Sequence, residues 1–70
     1  MEQPVRITIK AARVNAGFTQ SDVAKMLKVS NRTVIKWENG DAEPSFATLQ
    51  MLSNLYAIPI DCLILPSKSA

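Results

Sequence analysis

The residues with the most distinctive chemistry are an amide, a guanidinium and an amine that lie close together: Asn31, Arg32 and Lys36. The planar amide of Asn31 can pair bidentately with adenine, and the guanidinium of Arg32 with guanine. The amine of Lys36 can reach a guanine or a phosphate. Side chains of these types indicate contact with base edges in the major groove of DNA, which admits one α-helix.

Such side chains must stand on a helix with two different faces, and the spacing predicts one. Val34, Trp37 and Glu38 follow the i, i+3, i+4 pattern of an inner face. Ile35 falls on the outer face with the polar residues. Two interpretations of Ile35 remain open: an apolar contact with a thymine methyl group, or an exposed residue that the fold tolerates.

Another short helix precedes this one and is separated from it by a tight turn. Thr19 opens the preceding helix, and Asp22 completes a capping-box pattern. Lys28, Val29 and Ser30 form the turn, in which Val29 points inward and Ser30 caps the following helix. The pattern predicts a helix-turn-helix.

Further polar residues are placed to hold a DNA backbone. Gln20 lies in the first turn of the preceding helix, where the helix dipole and free backbone amides favour a phosphate. There it can also brace the start of the helix that contacts the bases. The other phosphate candidates are Lys10, Lys28 and Asn39. Each residue alone is also explained as an ordinary polar surface position, and only their combination indicates a contact with DNA.

The positive charges are concentrated in the first half of the chain, although the net charge is only +2. After Glu2, the only acid before Lys36 is Asp22, whereas a single late cation, Lys68, follows Trp37. Two interpretations remain open: one positive face that meets nucleic acid, or a solvated lysine-rich surface.

The composition excludes several classes of function. The 70 residues include one cysteine, Cys62, and no histidine, so we expect no intramolecular disulfide and no metal site. We predict no catalytic residue, no cofactor and no small-molecule ligand, because no nucleophile has a base to activate it. No apolar run approaches the ~20 residues that cross a bilayer, and the first residues do not form a signal peptide. We therefore expect one cytoplasmic domain, at residues 1–70, with no membrane contact.

The first residues predict an arm and then a helix. Residues 1–7 are expected to form the arm. Thr8 can cap a helix at residues 9–16 that stops at Gly17. The segment VRITI alternates, so a short strand also remains possible at this point.

The second half predicts two further helices. The fourth helix, at residues 46–57, begins after Ser45 and carries a core stripe with helical spacing. That stripe comprises Phe46, Leu49, Leu52 and Tyr56. A short last helix is expected at residues 60–65, ending at Pro66, and residues 66–70 are expected to be a loose tail.

Together these motifs resemble one known family. The quoted residues are TQSDVAKMLKVSNRTVIKWENG followed by EPSFATLQMLSNLYAIPIDCL. They are similar to the Cro/C1-type, or XRE-type, helix-turn-helix proteins of phage repressors and bacterial regulators. The resemblance covers residues 8–65. It implies an all-α, compact five-helix domain of the lambda-repressor type that binds double-stranded operator DNA, usually as a homodimer, and regulates transcription.

The resemblance also implies roles for individual residues. Gln20 and Asn39 would contact phosphates. The residues at the bases would be Ser30, Asn31, Arg32, Thr33 and Lys36. Arg13 would form a structural ion pair with Glu38, and its guanidinium would also touch a phosphate.

Two departures from the family pattern are informative. Lys28 stands where the turn usually has glycine, and a left-handed non-glycine residue costs on the order of 1 kcal/mol, which a phosphate contact could offset. Apolar residues also replace polar ones near the end of the chain, beginning with Ala47. The predicted dimer interface there comprises Met51, Leu55, Ile60, Cys62 and Ile64. A monomer with a more apolar surface is the alternative.

A second function remains open from the sequence. A short chain of this family could be a protein-binding modulator, or an antirepressor, that pairs with another repressor instead of DNA. The outward Asn31, Arg32 and Lys36 favour DNA, whereas the surface around Met51 and Leu55 suits a twin subunit or a foreign protein.

Overall fold

The computed structural model describes residues 6–66, so most of the predicted arm and tail lies outside the described residues. Within this range, no helix is long and apolar enough to cross a membrane. The elements in chain order are β1 (Ile7–Thr8), α1 (Ile9–Asn15), α2 (Gln20–Leu27), α3 (Asn31–Asn39), α4 (Phe46–Tyr56), a 3-10 turn (Ile60–Cys62) and β2 (Leu63–Ile64).

All four α-helices within residues 6–66 begin after a hydroxyl residue that accepts a backbone hydrogen bond. These residues and the amides that donate to them are Thr8 with Ala11, Thr19 with Asp22, Ser30 with Thr33, and Ser45 with Thr48. The box at Thr19 is complete, because the Asp22 carboxylate also accepts from the Thr19 amide at 2.9 Å. The predicted helix starts are therefore confirmed, since each depends only on residues within one turn.

The prediction of five helices is wrong for the end of the chain. Residues 60–65 contain a 3-10 turn and then β2, which pairs in parallel with β1 through Ile7 opposite Leu63 and Thr8 opposite Ile64. A segment of this length is too short to nucleate a stable helix by itself, and its apolar residues suit a strand once β1 is beside it. The predicted arm accordingly ends before Ile7.

One core joins all of these elements. The most completely buried large side chains are Ile9, Val23, Val34 and Leu52. The sequence prediction for α4 is correct for Leu52 and Tyr56 but wrong for Phe46, which is 72% exposed. Phe46 is the first residue of α4, and the packed part of the helix begins one turn later with the partly buried Leu49.

The prediction of Cys62 as an interface residue is also wrong, because its side chain is buried within the subunit. Cys62 is the last residue of the 3-10 turn and directly precedes β2. Leu55, Ile60 and Ile64 are half-buried, and Met51 remains 49% exposed.

Two helices end at a left-handed residue that is not glycine. Lys28 at the end of α2 has φ 59° and ψ 44°. This left-handed conformation is the one expected at the position where the resembled family usually has glycine. Ala57 at the end of α4 adopts nearly the same conformation, with φ 57° and ψ 42°. Each position stores backbone strain of about 1 kcal/mol relative to glycine.

Candidate nucleic-acid interface

Helix α3 separates its apolar and polar residues as the spacing predicts. Val34, Trp37 and Glu38 are buried against the rest of the domain. The exposed face carries Asn31, Arg32, Lys36 and Asn39, whereas Ile35 is half-buried beside them. This face therefore offers amide, guanidinium and ammonium groups from a helix whose other side is fixed.

The ion pair that the resemblance implies between Arg13 and Glu38 is present and buried. Arg13 Nε donates to Glu38 Oε2 at 2.6 Å, and Arg13 Nη2 donates to Glu38 Oε1 at 3.2 Å. The two side chains are 9% and 2% exposed. Arg13 Nη1 donates to the Phe18 carbonyl at 2.8 Å, so the guanidinium also fixes the loop between α1 and α2.

These contacts use three of the five N–H groups of Arg13, so the expectation that it also touches a phosphate stays a prediction. Its guanidinium is enclosed within the domain, and each of its three nitrogens already donates to a protein oxygen. Arg13 therefore acts within the scaffold. The Phe18 carbonyl was not found by sequence reasoning, because a backbone acceptor leaves no signature in residue types.

Gln20 joins the same group of side chains. Its Nε2 donates to Glu38 Oε1 at 3.0 Å, and its side chain is half-buried. Gln20 was expected to brace the start of α3, whereas the hydrogen bond that it makes reaches Glu38, near the end of that helix. This hydrogen bond joins the first residue of α2 to the last turn of α3.

Tyr56 lies close enough to this ion pair for both charges to act on it. Burial and, to a smaller extent, the negative charge of Glu38 raise the pKa of Tyr56 to about 12, and the positive charge of Arg13 acts in the opposite direction. The Tyr56 ring packs at an angle of 36° against Phe18, with the ring centroids 6.4 Å apart. Aromatic residues from α4 and the first loop thus lie beside the Arg13–Glu38 pair.

The hydroxyls of Ser30 and Thr33 are engaged with each other at the start of α3. Ser30 Oγ accepts from the Thr33 amide at 3.2 Å and lies 2.9 Å from Thr33 Oγ1. The same arrangement recurs at the start of α4, where the Ser45 hydroxyl donates to Thr48 Oγ1 at 3.0 Å. Because α4 carries none of the predicted base contacts, the recurrence indicates that this pair is a helix cap. The expectation of Ser30 and Thr33 as base contacts stays a prediction.

The remaining phosphate candidates are all on the surface. Lys10, Lys28 and Asn39 are exposed.

In the capping box at the start of α2, hydrogen bonds from the Thr19 backbone amide and side chain lower the pKa of Asp22. The carboxylate therefore stays charged at the start of α2, where the helix dipole favours it.

A further exposed surface lies along α4. Along α4, the exposed residues include Ala47 and Met51, and no residue of this helix carries a charge. Three exposed hydrophobic residues were not predicted, because an apolar residue type does not by itself indicate exposure. They are Val14, Met26 and Phe46.

A helix, a tight turn and a second helix with a polar outer face define the class of helix-turn-helix domains. A family profile described as helix-turn-helix matches residues 9–61, and this chain belongs to that family. The match confirms the resemblance to Cro/C1-type, or XRE-type, regulators.

Three relatives illustrate the similarity. The HTH-type transcriptional regulator ImmR of Bacillus subtilis (strain 168) is 38% identical over 56 residues, which is 80% of this chain and 44% of the relative. The HTH-type transcriptional regulator DicA of Escherichia coli (strain K12) is 43% identical over 47 residues, 67% of this chain and 35% of the relative. The SPbeta prophage-derived uncharacterized HTH-type transcriptional regulator YonR of Bacillus subtilis (strain 168) is 34% identical over 56 residues, 80% of this chain and 52% of the relative. The chain spans about half or less of their length.

The two hydroxyl pairs give a direct test of their role. Ser30→Ala and Ser45→Ala each remove one cap, and both should lower the free energy of unfolding by about 1 kcal/mol. Urea unfolding of both variants measures this change. A much smaller loss for Ser30→Ala than for its counterpart would show that the Ser30 hydroxyl contributes little as a cap and is available to an external partner.

Proposed function

We propose that this chain is a sequence-specific, double-stranded DNA-binding transcriptional regulator that inserts α3 into the major groove. The observation that carries the proposal is the division of α3 into a buried side and an exposed side with Asn31, Arg32 and Lys36. A helix used for base recognition needs both sides, one for the scaffold and one for the DNA. Membership of a family of transcription regulators supports the same conclusion and gives no reason to propose an enzyme.

The base contacts are assigned to four residues. Asn31 pairs with adenine, Arg32 pairs with guanine, and Lys36 reaches a guanine or an adjacent phosphate. Ile35 is half-buried at the same face, so a thymine methyl group would complete its apolar environment. Ser30 and Thr33 hold the helix start and are left out of this set.

The phosphate contacts are assigned to Gln20, Asn39, Lys10 and Lys28. Gln20 begins α2, where unpaired backbone amides and the helix dipole add to the attraction. Lys28 is the exposed left-handed residue between the two helices of the motif. A cation at that position can neutralise a phosphate beside the recognition helix.

We further propose a repressor of the phage or mobile-element type that acts in the cytoplasm without a cofactor. The family resemblance to phage repressors and the similarity to a prophage-derived regulator support this proposal. The mechanism is occupation: a protein seated in the major groove of an operator excludes the transcription machinery from the same DNA.

The protein is proposed to bind as a homodimer. Its interface would be formed by Met51 with Leu55, Ile60 and Ile64, without the buried Cys62. The exposed side of α4 has no charge, so two copies can meet there without like-charge repulsion. A two-fold dimer presents two recognition helices to half-sites about 34 Å apart.

Selection of bound sequences from a pool of random duplexes tests the function. We expect an enriched, two-fold symmetric sequence, bound with an affinity that falls roughly 100-fold per subunit between about 50 and about 200 mM salt for about four phosphate contacts. Failure to enrich any sequence, together with binding that salt does not weaken, would contradict the proposal and favour the protein-binding modulator.

Arg32→Ala tests the base assignment on the selected duplex. We expect a loss of about 1–3 kcal/mol and relaxed sequence choice at one base pair, because the bidentate pair with guanine is gone. Lys25→Ala removes an exposed cation of α2 that is assigned no base and serves as the control. Equal weakening of Arg32→Ala on all sequences would instead place Arg32 at a phosphate.

Lys28→Gly and Ala57→Gly distinguish the effect of backbone strain on stability from the effect of the Lys28 side chain on DNA binding. Both changes place glycine at a left-handed helix end, so both should raise the free energy of unfolding by about 1 kcal/mol. Only Lys28→Gly should weaken DNA binding and reduce the salt slope by about one unit. If Lys28→Gly binds DNA as the wild-type protein does, Lys28 makes no phosphate contact.

Met51→Glu tests the dimer by sedimentation. A carboxylate on each copy would be buried against its twin, so the variant should sediment as a monomer. Met26→Glu is the matched control, because Met26 on α2 is 48% exposed and Met51 is 49% exposed. A dimer that survives Met51→Glu would place the interface elsewhere.

A further inference from the structure

A single hydrogen bond joins the first residue of α2 to the end of α3. Gln20 Nε2 donates to Glu38 Oε1 at 3.0 Å, and the Glu38 side chain is only 2% exposed. Ionised carboxylates accept hydrogen bonds and donate none, so the amide nitrogen of Gln20 must point towards Glu38. The carboxylate thus determines the orientation of a side chain at the protein surface.

The charge of Glu38 is compensated on its other side. Arg13 binds both carboxylate oxygens through Nε and Nη2. Without Arg13, the negative charge of the Glu38 carboxylate would repel a phosphate bound by Gln20. With the pair formed, the second N–H of the Gln20 amide can meet a phosphate while the first remains on Glu38.

We propose that Gln20 is a positioning residue: held by Glu38, its amide couples the phosphate contact at the start of α2 to the placement of α3 in the groove. The proposal rests on the DNA-binding function proposed above. It predicts that Glu38, which is buried, influences base discrimination without touching DNA. A phosphate contact that acted alone would affect all sequences equally.

The test is a double-mutant cycle of Gln20→Met, Glu38→Gln and the combined variant. Each protein is titrated with the selected duplex and with an unrelated duplex. Ile9→Val is the control for destabilisation, because Ile9 is a core residue of α1 that belongs to none of the proposed contacts. Urea unfolding confirms that each variant is folded at the temperature of the titration.

We expect each single change to weaken binding to the selected duplex about tenfold, and the combined variant to be little weaker than either. Glu38→Gln should weaken the unrelated duplex less than about twofold. Independent effects would multiply to roughly 100-fold in the combined variant and would overturn the proposal. Equal losses on both duplexes for Glu38→Gln, matching those of Ile9→Val, would also overturn it.

A measurement on the free wild-type protein covers the case in which Glu38→Gln does not fold. The side-chain NH2 signals of Gln20, assigned by their absence in Gln20→Met, should exchange with solvent more slowly than those of the exposed Gln50. Equally fast exchange would show that the link to Glu38 is absent. A wild-type protein that binds no duplex would refute the proposed function, whereas slow exchange would still show the hydrogen bond itself.

Discussion

The buried carboxylate of Glu38 is the constraint on which the arrangement of the helices depends. Removing a charge from water is costly, and a buried ion pair is stable only when its hydrogen bonds are complete. Here Arg13 and Gln20 supply the donors, and every buried side-chain nitrogen and oxygen in the described part of the chain has a partner. The end of α1, the start of α2 and the end of α3 must therefore meet at one point.

The hydrogen-bonded ion pair fixes the orientation of α3 more than it increases the free energy of unfolding. A pair of apolar residues could pack at the same place with a similar free energy, but it would accept small rotations of α3. Hydrogen bonds to both oxygens of Glu38 have preferred angles, so they restrict the rotation of α3, whereas apolar packing has no such directional preference. A helix that contacts bases needs this restriction, because misplaced donors lose their bidentate pairing.

The sequence predicted the features that depend on neighbouring residues. The four capping residues and the buried side of α3 were found because each is determined within one or two helical turns, whereas the left-handed Lys28 was expected from the family resemblance. The pairing of β1 with β2 was not found, since Ile7 and Leu63 come from opposite ends of the described chain. Phe46 was misplaced because helical spacing identifies a face but not where the core beneath it ends.

The candidate site shows the same limit. Residue types revealed which side chains of α3 could contact DNA, and the family resemblance supplied the partner of Arg13. Neither could show that Gln20 reaches the end of α3, or that Arg13 donates a hydrogen bond to the Phe18 carbonyl. Such contacts depend on how the helices approach one another, and the residue types are compatible with several approaches.

The two proposed surfaces differ in how they respond to salt, and this difference matters for binding. Contacts of α3 and α2 with phosphates weaken as salt rises, whereas the uncharged side of α4 loses nothing by screening. A single domain with few phosphate contacts holds DNA weakly, but two linked domains gain from the high effective concentration of the second half-site. Dimerisation through an uncharged surface would therefore preserve the high effective concentration at high salt, where the binding of each domain to its half-site is weakest.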